Sequence, residues 1–204
     1  MKHQVPPRLI AIVGGSGSGK TWLADRLQEA LGKKAARLSL DDFYRDRSHL
    51  SPAQRARINY DHPRAIDWNL FQSVLQDCAA GRPTRIPIYD FATHSRLPKS
   101  RPFRPAKIIL VDGLWLLRKP SVRRLFIHRI FIDCPAKVRL NRRLARDLLN
   151  RGRDKPSIQR QFREEVEPMN TRYVVPQKRW VHNNLDTPIG VAGVLNLAGQ
   201  LSSL

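Results

Sequence analysis

One eight-residue stretch constrains this chain more than any other. Gly14-Gly15-Ser16-Gly17-Ser18-Gly19-Lys20-Thr21 fits the spacing G-x-x-x-x-G-K-[ST]. A short apolar run, Arg8 to Val13, leads into it and reads as a buried parallel strand. Thr21 to Leu31 follows with Trp22, Leu23, Leu27 and Leu31 at helical spacing, and Gly32 ends the run. Strand, glycine-rich loop and helix in that order make a cradle for phosphate. Glycines let backbone N–H groups turn inward, and the helix N-terminus adds free N–H groups and partial positive charge. Lys20 is expected to reach the terminal phosphates, and the Thr21 hydroxyl to ligate Mg²⁺.

The rest of the chain alternates in the same way. Ala35 to Leu40, Lys107 to Val111 and Ile127 to Asp133 read as strands. Asp67 to Ala80 reads as a helix with Leu70, Phe71, Val74, Leu75 and Cys78 on one side, stopped by Gly81. Pro135 opens a long basic helix that ends near Arg151-Gly152, with proline where a first helical turn tolerates it. Strands alternating with helices imply a parallel sheet covered on both faces. Thr84 to Pro105, rich in Pro, Arg and aromatics, reads as a hairpin or long excursion, a feature that is often functional. The stretch after Asn183 is weakly patterned and ends in an apolar tail without an assigned place.

Composition excludes several classes. The 204 residues suit one domain, and no run approaches the length of a membrane span. The N-terminus lacks the apolar stretch of a signal peptide, so a cytoplasmic protein is expected. Cys78 and Cys134 lack disulfide-framework or metal spacing and are expected to be reduced thiols. The net charge of +20 favours anionic partners. Its basic residues are spread along the chain, so polyphosphate substrates account for it and a specific nucleic-acid partner is not expected.

Two carboxylates turn phosphate binding toward catalysis. Ile108 to Val111 is a buried strand ending in Asp112, which is placed to hold Mg²⁺ through its water shell. Ser39-Leu40-Asp41-Asp42-Phe43-Tyr44 ends the second strand, and strand C-termini of an open parallel sheet face the ligand crevice. A carboxylate there can accept the proton of an attacking hydroxyl, and only one of the adjacent pair is expected to face the site. The guanine-reading Asn-Lys-x-Asp of GTPases is absent from the sequence.

Four further segments carry a resemblance. Asp41-x-Phe43-Tyr44, Asn59-Tyr60-Asp61-His62-Pro63, Ile86-Pro87-Ile88-Tyr89-Asp90-Phe91-x-x-His94-Ser95-Arg96, and Arg142-Arg143-Leu144-Ala145-Arg146-Asp147 continuing to Arg151-Gly152-Arg153-Asp154 resemble the uridine kinases (uridine–cytidine kinases). The order matches from about residue 8 to about residue 181. The resemblance implies a P-loop NTPase α/β sandwich, a single kinase domain over residues 1–204 with a β-hairpin excursion at about 84–105 and a helical lid at about 141–160. It also implies a homotetramer, ATP and Mg²⁺ as cofactors, and transfer to the 5′-hydroxyl of uridine or cytidine.

Roles follow residue by residue from the resemblance. Asp41 matches the catalytic base. Asp61 and Arg143 match the holders of the ribose hydroxyls. Tyr89, Phe91 and His94 match the base pocket, and Arg153 and Gln161 match further nucleoside contacts. Arg146 and Arg151 match lid arginines beside the transferring phosphate. Plainer readings stand beside these: Asp61 as a turn residue, one of Tyr89 and Phe91 as core, His94 as a surface loop residue, and about half of the 139–153 arginines as a solvated helix face. Asp112 stands where many members carry Glu, and Asp42 where many carry Ser. The alternatives are a related kinase acting on nicotinamide riboside or a sugar phosphate, and a nucleotide-sensing RNA-binding protein. The Tyr89 to Arg96 segment argues against the first, and Asp41 with the lid arginines against the second.

Overall fold

The computed structural model describes residues 5–151 and 154–204, the side chains of residues 150 and 151 excepted. Five strands form one parallel sheet: β1 (Arg8–Gly14), β2 (Ala35–Ser39), β5 (Ile108–Gly113), β6 (Phe126–Asp133) and β7 (Asn183–Asp186). The spatial order is β2-β5-β1-β6-β7. All four pairings are parallel. A separate antiparallel hairpin joins β3 (Thr84–Asp90) to β4 (Ser95–Phe103). It corresponds to the expected excursion.

Alternation along β1 builds two cores. Leu9, Ala11 and Val13 face a cluster that contains Phe43, Phe71, Ile86 and Trp115. Ile10 and Ile12 face the opposite side, against Leu23, Leu27 and Leu31 of α1 (Lys20–Leu31). Successive residues of a strand point to opposite faces, so a continuous apolar run is what a strand covered on both sides requires. The apolar tail completes the second layer. Val194, Leu197, Ala198 and Leu201 of the C-terminal helix (Val191–Ser203) are all buried in the α1 cluster.

The first layer is carried by the helix over Trp68–Ala79, whose N-cap Asp67 accepts a hydrogen bond from the Leu70 amide. A left-handed Gly81 (φ 70°) turns the chain out of it, as glycine readily does. Both cysteines are free and buried. No helix among the described residues is long and apolar enough to cross a membrane.

Candidate active site

The phosphate loop closes the gap between β1 and α1. Gly17 (φ 79°) and Gly19 (φ 100°) adopt left-handed backbone. A Cβ at Gly17 would lie 2.6 Å from the Arg139 carbonyl oxygen, so the loop is packed against the next element as well as bent. That element is the basic helix over Ala136–Arg151. Arg142 Nη1 donates to the Ser18 carbonyl at 3.0 Å, and Arg143 Nη1 to Ser16 Oγ at 3.1 Å. Lys20 Nζ donates to the Gly15 carbonyl at 2.9 Å, arched back over the loop. Burial pulls the Lys20 pKa down, while Asp41 and Asp112 pull against that shift.

Asp112 ends β5 beside the loop and is 2% exposed. Its Oδ2 accepts hydrogen bonds from Thr21 Oγ1 (3.3 Å) and Ser39 Oγ (3.4 Å), while its Oδ1 faces Arg37 Nε at 3.1 Å. Arg37 also reaches Asp25 at 2.6 Å. A buried carboxylate needs such partners, because an unpaired charge there is costly. The donor set, a hydroxyl and a carboxylate beside a phosphate cradle, is hard oxygen and suits Mg²⁺, which keeps several waters.

Asp41 is the second residue of the 3₁₀ turn Leu40–Phe43 that follows β2, and its amide donates to Ser39 Oγ at 3.3 Å. Burial, then the neighbouring Asp112, pushes its carboxyl up to about 6, against the opposing pull of Lys20 and Arg146. A carboxylate poised there is suited to accept a proton near neutral pH. Its neighbour Asp42 serves a different purpose. Asp42 Oδ2 pairs with Arg101 Nη2 of β4 at 2.9 Å and ties the hairpin to the strand end. Arg96 makes a second tie, to Asp67 (3.3 Å) and to the Phe43 carbonyl (3.4 Å).

The hairpin brings its aromatics over this turn. Tyr44 meets Tyr89 at 5.0 Å between ring centroids, and Tyr89 meets Phe91 edge-on at 5.2 Å. His94 lies flat against Tyr60 at 4.2 Å with 13° between the planes. The His94 backbone is left-handed (φ 52°), which turns the hairpin tip back toward Tyr60. Tyr44 donates its hydroxyl to the Tyr60 carbonyl at 3.2 Å. Burial, then Asp41 and Asp61, holds the Tyr44 phenol well above its usual range, so it stays neutral.

Arg143 joins the two halves. Besides Ser16 it contacts Gln161 Oε1 at 2.9 Å, Asp147 Oδ2 at 3.3 Å and Asp61 Oδ1 at 3.9 Å, and it is 5% exposed. Gln161 ends the helix Lys155–Gln161. Arg146 Nε donates to Asp147 Oδ1 at 2.8 Å and is close enough to Asp41 and Lys20 to act on both electrostatically. Lys20, Thr21, Asp41, Asp61, Asp112, Arg143, Arg146 and Gln161 are thus gathered in one connected cluster, with Tyr89, Phe91 and His94 on its hairpin side. Arg153 lies outside the described residues, as does the side chain of Arg151. Within the basic helix, Arg139 and Arg143 are buried and only part of the arginine set is solvated.

Several participants had no role assigned from the sequence. Ser39 and Arg37 fix Asp112, Tyr44 and Tyr60 complete the aromatic wall, and Asp147, fully buried, orients both Arg143 and Arg146. The fourth residue after Arg143 is Asp147, an i,i+4 pairing that could have flagged it.

A family profile described as "Phosphoribulokinase / Uridine kinase family" matches residues 9–188. This chain belongs to that family. The uridine kinase of Clostridium perfringens strain 13 is 35% identical over 203 residues, covering 95% of this chain and 98% of that protein. The uridine kinase of Chloroflexus aggregans is 39% identical over 178 residues, covering 87% and 85%. Among solved structures, phosphoribulokinase from Rhodobacter spheroides superposes with a TM-score of 0.67 at 15% identity, covering 93% of this chain and 74% of that one. The architecture is therefore the P-loop kinase α/β fold, and the chain is a phosphotransferase with a hydroxyl acceptor.

Proposed function

We propose that this chain transfers the γ-phosphoryl group of Mg·ATP to the 5′-hydroxyl of a pyrimidine nucleoside, with uridine as the primary acceptor. The observation that carries this reading is the position of Asp41. It stands between the phosphate loop and an aromatic wall, with its carboxyl raised to about 6. The names of the full-length relatives support the same acceptor.

The loop amides and Lys20 hold the donor phosphates, and the left-handed glycines let the loop bend while packed against the basic helix. Thr21 and Asp112 would hold Mg²⁺, which supplies charge neutralisation between the phosphates when bound. Asp41 accepts the proton of the 5′-hydroxyl as the oxygen attacks. Asp61 accepts hydrogen bonds from the ribose diol, which a carboxylate's two oxygens suit, and Arg143 fixes Asp61 against the loop. Tyr89 and Phe91 pack against the pyrimidine face and His94 reads its edge, backed by Tyr60. Arg146 offsets charge on the transferring group, and Gln161, bonded to Arg143, contacts the nucleoside. Residues 141–160 act as the lid that excludes water as a competing acceptor.

A comparison of uridine with 5′-deoxyuridine tests the reading. Calorimetry is expected to show both binding with similar affinity, while ADP release occurs only with uridine. Turnover with 5′-deoxyuridine, or no binding of either, would overturn it.

A further inference from the structure

A second group of cations lies away from the phosphate loop. From Gly113 to Ile132, and again from Pro168 to Leu185, the chain carries no Asp or Glu. The fold sets these two segments against each other. The Arg129 carbonyl accepts from the His182 amide at 2.8 Å, and the Arg129 amide donates to His182 Nδ1 at 3.0 Å. Gln177 Oε1 accepts from the Leu117 amide at 2.8 Å. Arg123 and Arg179, one from each segment, lie over the Trp180 ring at 4.0 and 4.1 Å. Burial, then Arg129, Arg179 and Arg124, lowers the Arg123 pKa, so these guanidiniums act on one another.

Elsewhere this protein matches buried or partly buried arginines with carboxylates, as at Arg37, Arg96, Arg139 and Arg143. Among the described residues, Arg123, Arg124, Arg129 and Arg179 make no such pair. Uncompensated like charge on one face is a cost that an anionic ligand relieves. Trp180 braces two of the guanidiniums. A guanidinium stacked on an aromatic face keeps its in-plane N–H donors for phosphate oxygens. With its ring engaged in this way, Trp180 is not a free platform for a base.

The group is also remote from the phosphate loop. In the parallel pairing of β1 with β6, Leu9 lies opposite Phe126 while Gly14 lies opposite Ile132, so the start of β6 and the loop sit at opposite ends of the sheet. Beyond Trp180 the cations continue toward the acceptor side, to Arg118 and Arg172, which lie at 5.1 and 5.2 Å over the ring of Tyr173, whose hydroxyl meets His62 at 3.2 Å. That stripe offers more donors than one phosphate group can use. We propose that it binds the phosphodiester backbone of nucleic acid, through phosphates and without base selectivity. Bulk charge alone carries no sign of this, because the two segments meet only in the fold.

The test is fluorescence anisotropy with a labelled single strand of about 20 deoxyadenylates, with saturating Mg·ADP present to fill the phosphate loop. The double variant Arg124→Glu/Arg179→Glu is compared with Lys33→Glu/Lys34→Glu, an equal charge change in the exposed turn Gly32–Lys34. The expected result is binding at least about tenfold weaker in the first variant and within about twofold of wild type in the second, with uridine turnover intact in both. Removing two phosphate-binding cations would reduce the salt slope by about 1.4. Trp180→Ala, which changes no charge, is also expected to weaken binding. Equal weakening in both double variants would mean diffuse attraction by net charge and would overturn the site. So would undiminished binding in the first variant, no binding by wild type, or displacement by inorganic triphosphate at the same phosphate concentration.

Discussion

Arg37 and Asp112 stand side by side on neighbouring strands, with Nε 3.1 Å from Oδ1, and this contact leaves the other carboxylate oxygen facing Thr21 and Ser39. Register places them there: Ser39 of β2 lies opposite Asp112 of β5, and Arg37 opposite Leu110. Arg37 thus orients a carboxylate that is 2% exposed and supplies its countercharge. Replacing it by Leu removes the countercharge of the buried Asp112, while Asp25, whose side chain is 43% exposed, keeps water as a partner. The expected cost is about 1–3 kcal/mol, or roughly 2–12 °C in Tm for a chain of this size. Mg²⁺ can replace the lost charge at Asp112, so adding it is expected to raise the Tm of the variant more than that of wild type. Differential scanning calorimetry with and without Mg²⁺ checks this. An equal gain in both would remove Arg37 from the account of Asp112.

Asp41 makes the site sensitive to pH in a defined direction. Its carboxyl titrates at about 6, above the ordinary 3.8, chiefly because burial disfavours the charge. Catalysis requires the ionised form, so kcat/KM should rise through pH 6 and level off above it. Stability runs the other way. The folded protein holds this proton more tightly than the unfolded chain, so the group's stabilising contribution is complete below about pH 4 and lost as pH rises through 6. Asp41→Asn is therefore expected to abolish turnover and, without ligands, to raise the Tm at pH 8 but not at pH 4. Thermal melts at both pH values provide the check, and a Tm lowered by the substitution at pH 8 would contradict it.

His94 is held flat against Tyr60 on a left-handed backbone. Asn tolerates that conformation better than Ala, so His94→Asn removes the imidazole with least strain. The nucleoside KM is expected to rise about tenfold, equivalent to about 1.4 kcal/mol, with the ATP KM within about twofold. Similar rises in both constants would place His94 outside the acceptor pocket.

Gly17 is left-handed, and a Cβ there would meet a backbone carbonyl, that of Arg139, at 2.6 Å. A backbone group cannot swing aside as a side chain can. Gly17→Ala is expected to push the loop from the basic helix and weaken ATP binding by at least about tenfold. Uridine affinity, measured separately by calorimetry, should change little. Retained ATP affinity would show that the loop and the helix can move apart without loss of the cradle.

The features legible in the sequence are those whose chemistry is local. The phosphate loop is recognisable because backbone geometry itself binds, Asp112 because it ends an apolar run, and Asp41 because it follows the end of a strand. Arg37 was silent, since a lone arginine inside a strand gives no hint of the carboxylate opposite it on the next strand. Tyr60 and His94 are far apart in sequence and meet only when the hairpin folds over. The C-terminal helix was obscured by Gly193 and Gly199, which weaken helix propensity, and its burial against α1 outweighs them. The edge strand Asn183–Asp186 lacks β-branched residues and exists through its pairing with β6.

The most direct measurement is steady-state ADP release at fixed Mg·ATP with uridine, cytidine, nicotinamide riboside and ribulose 5-phosphate as acceptors, with products identified by ³¹P NMR. The prediction is the highest kcat/KM for uridine, with cytidine next, a 5′-monophosphate product, and loss of turnover with both in Asp41→Asn. Faster turnover with nicotinamide riboside or the sugar phosphate, or substantial activity without the Asp41 carboxylate, would contradict the account.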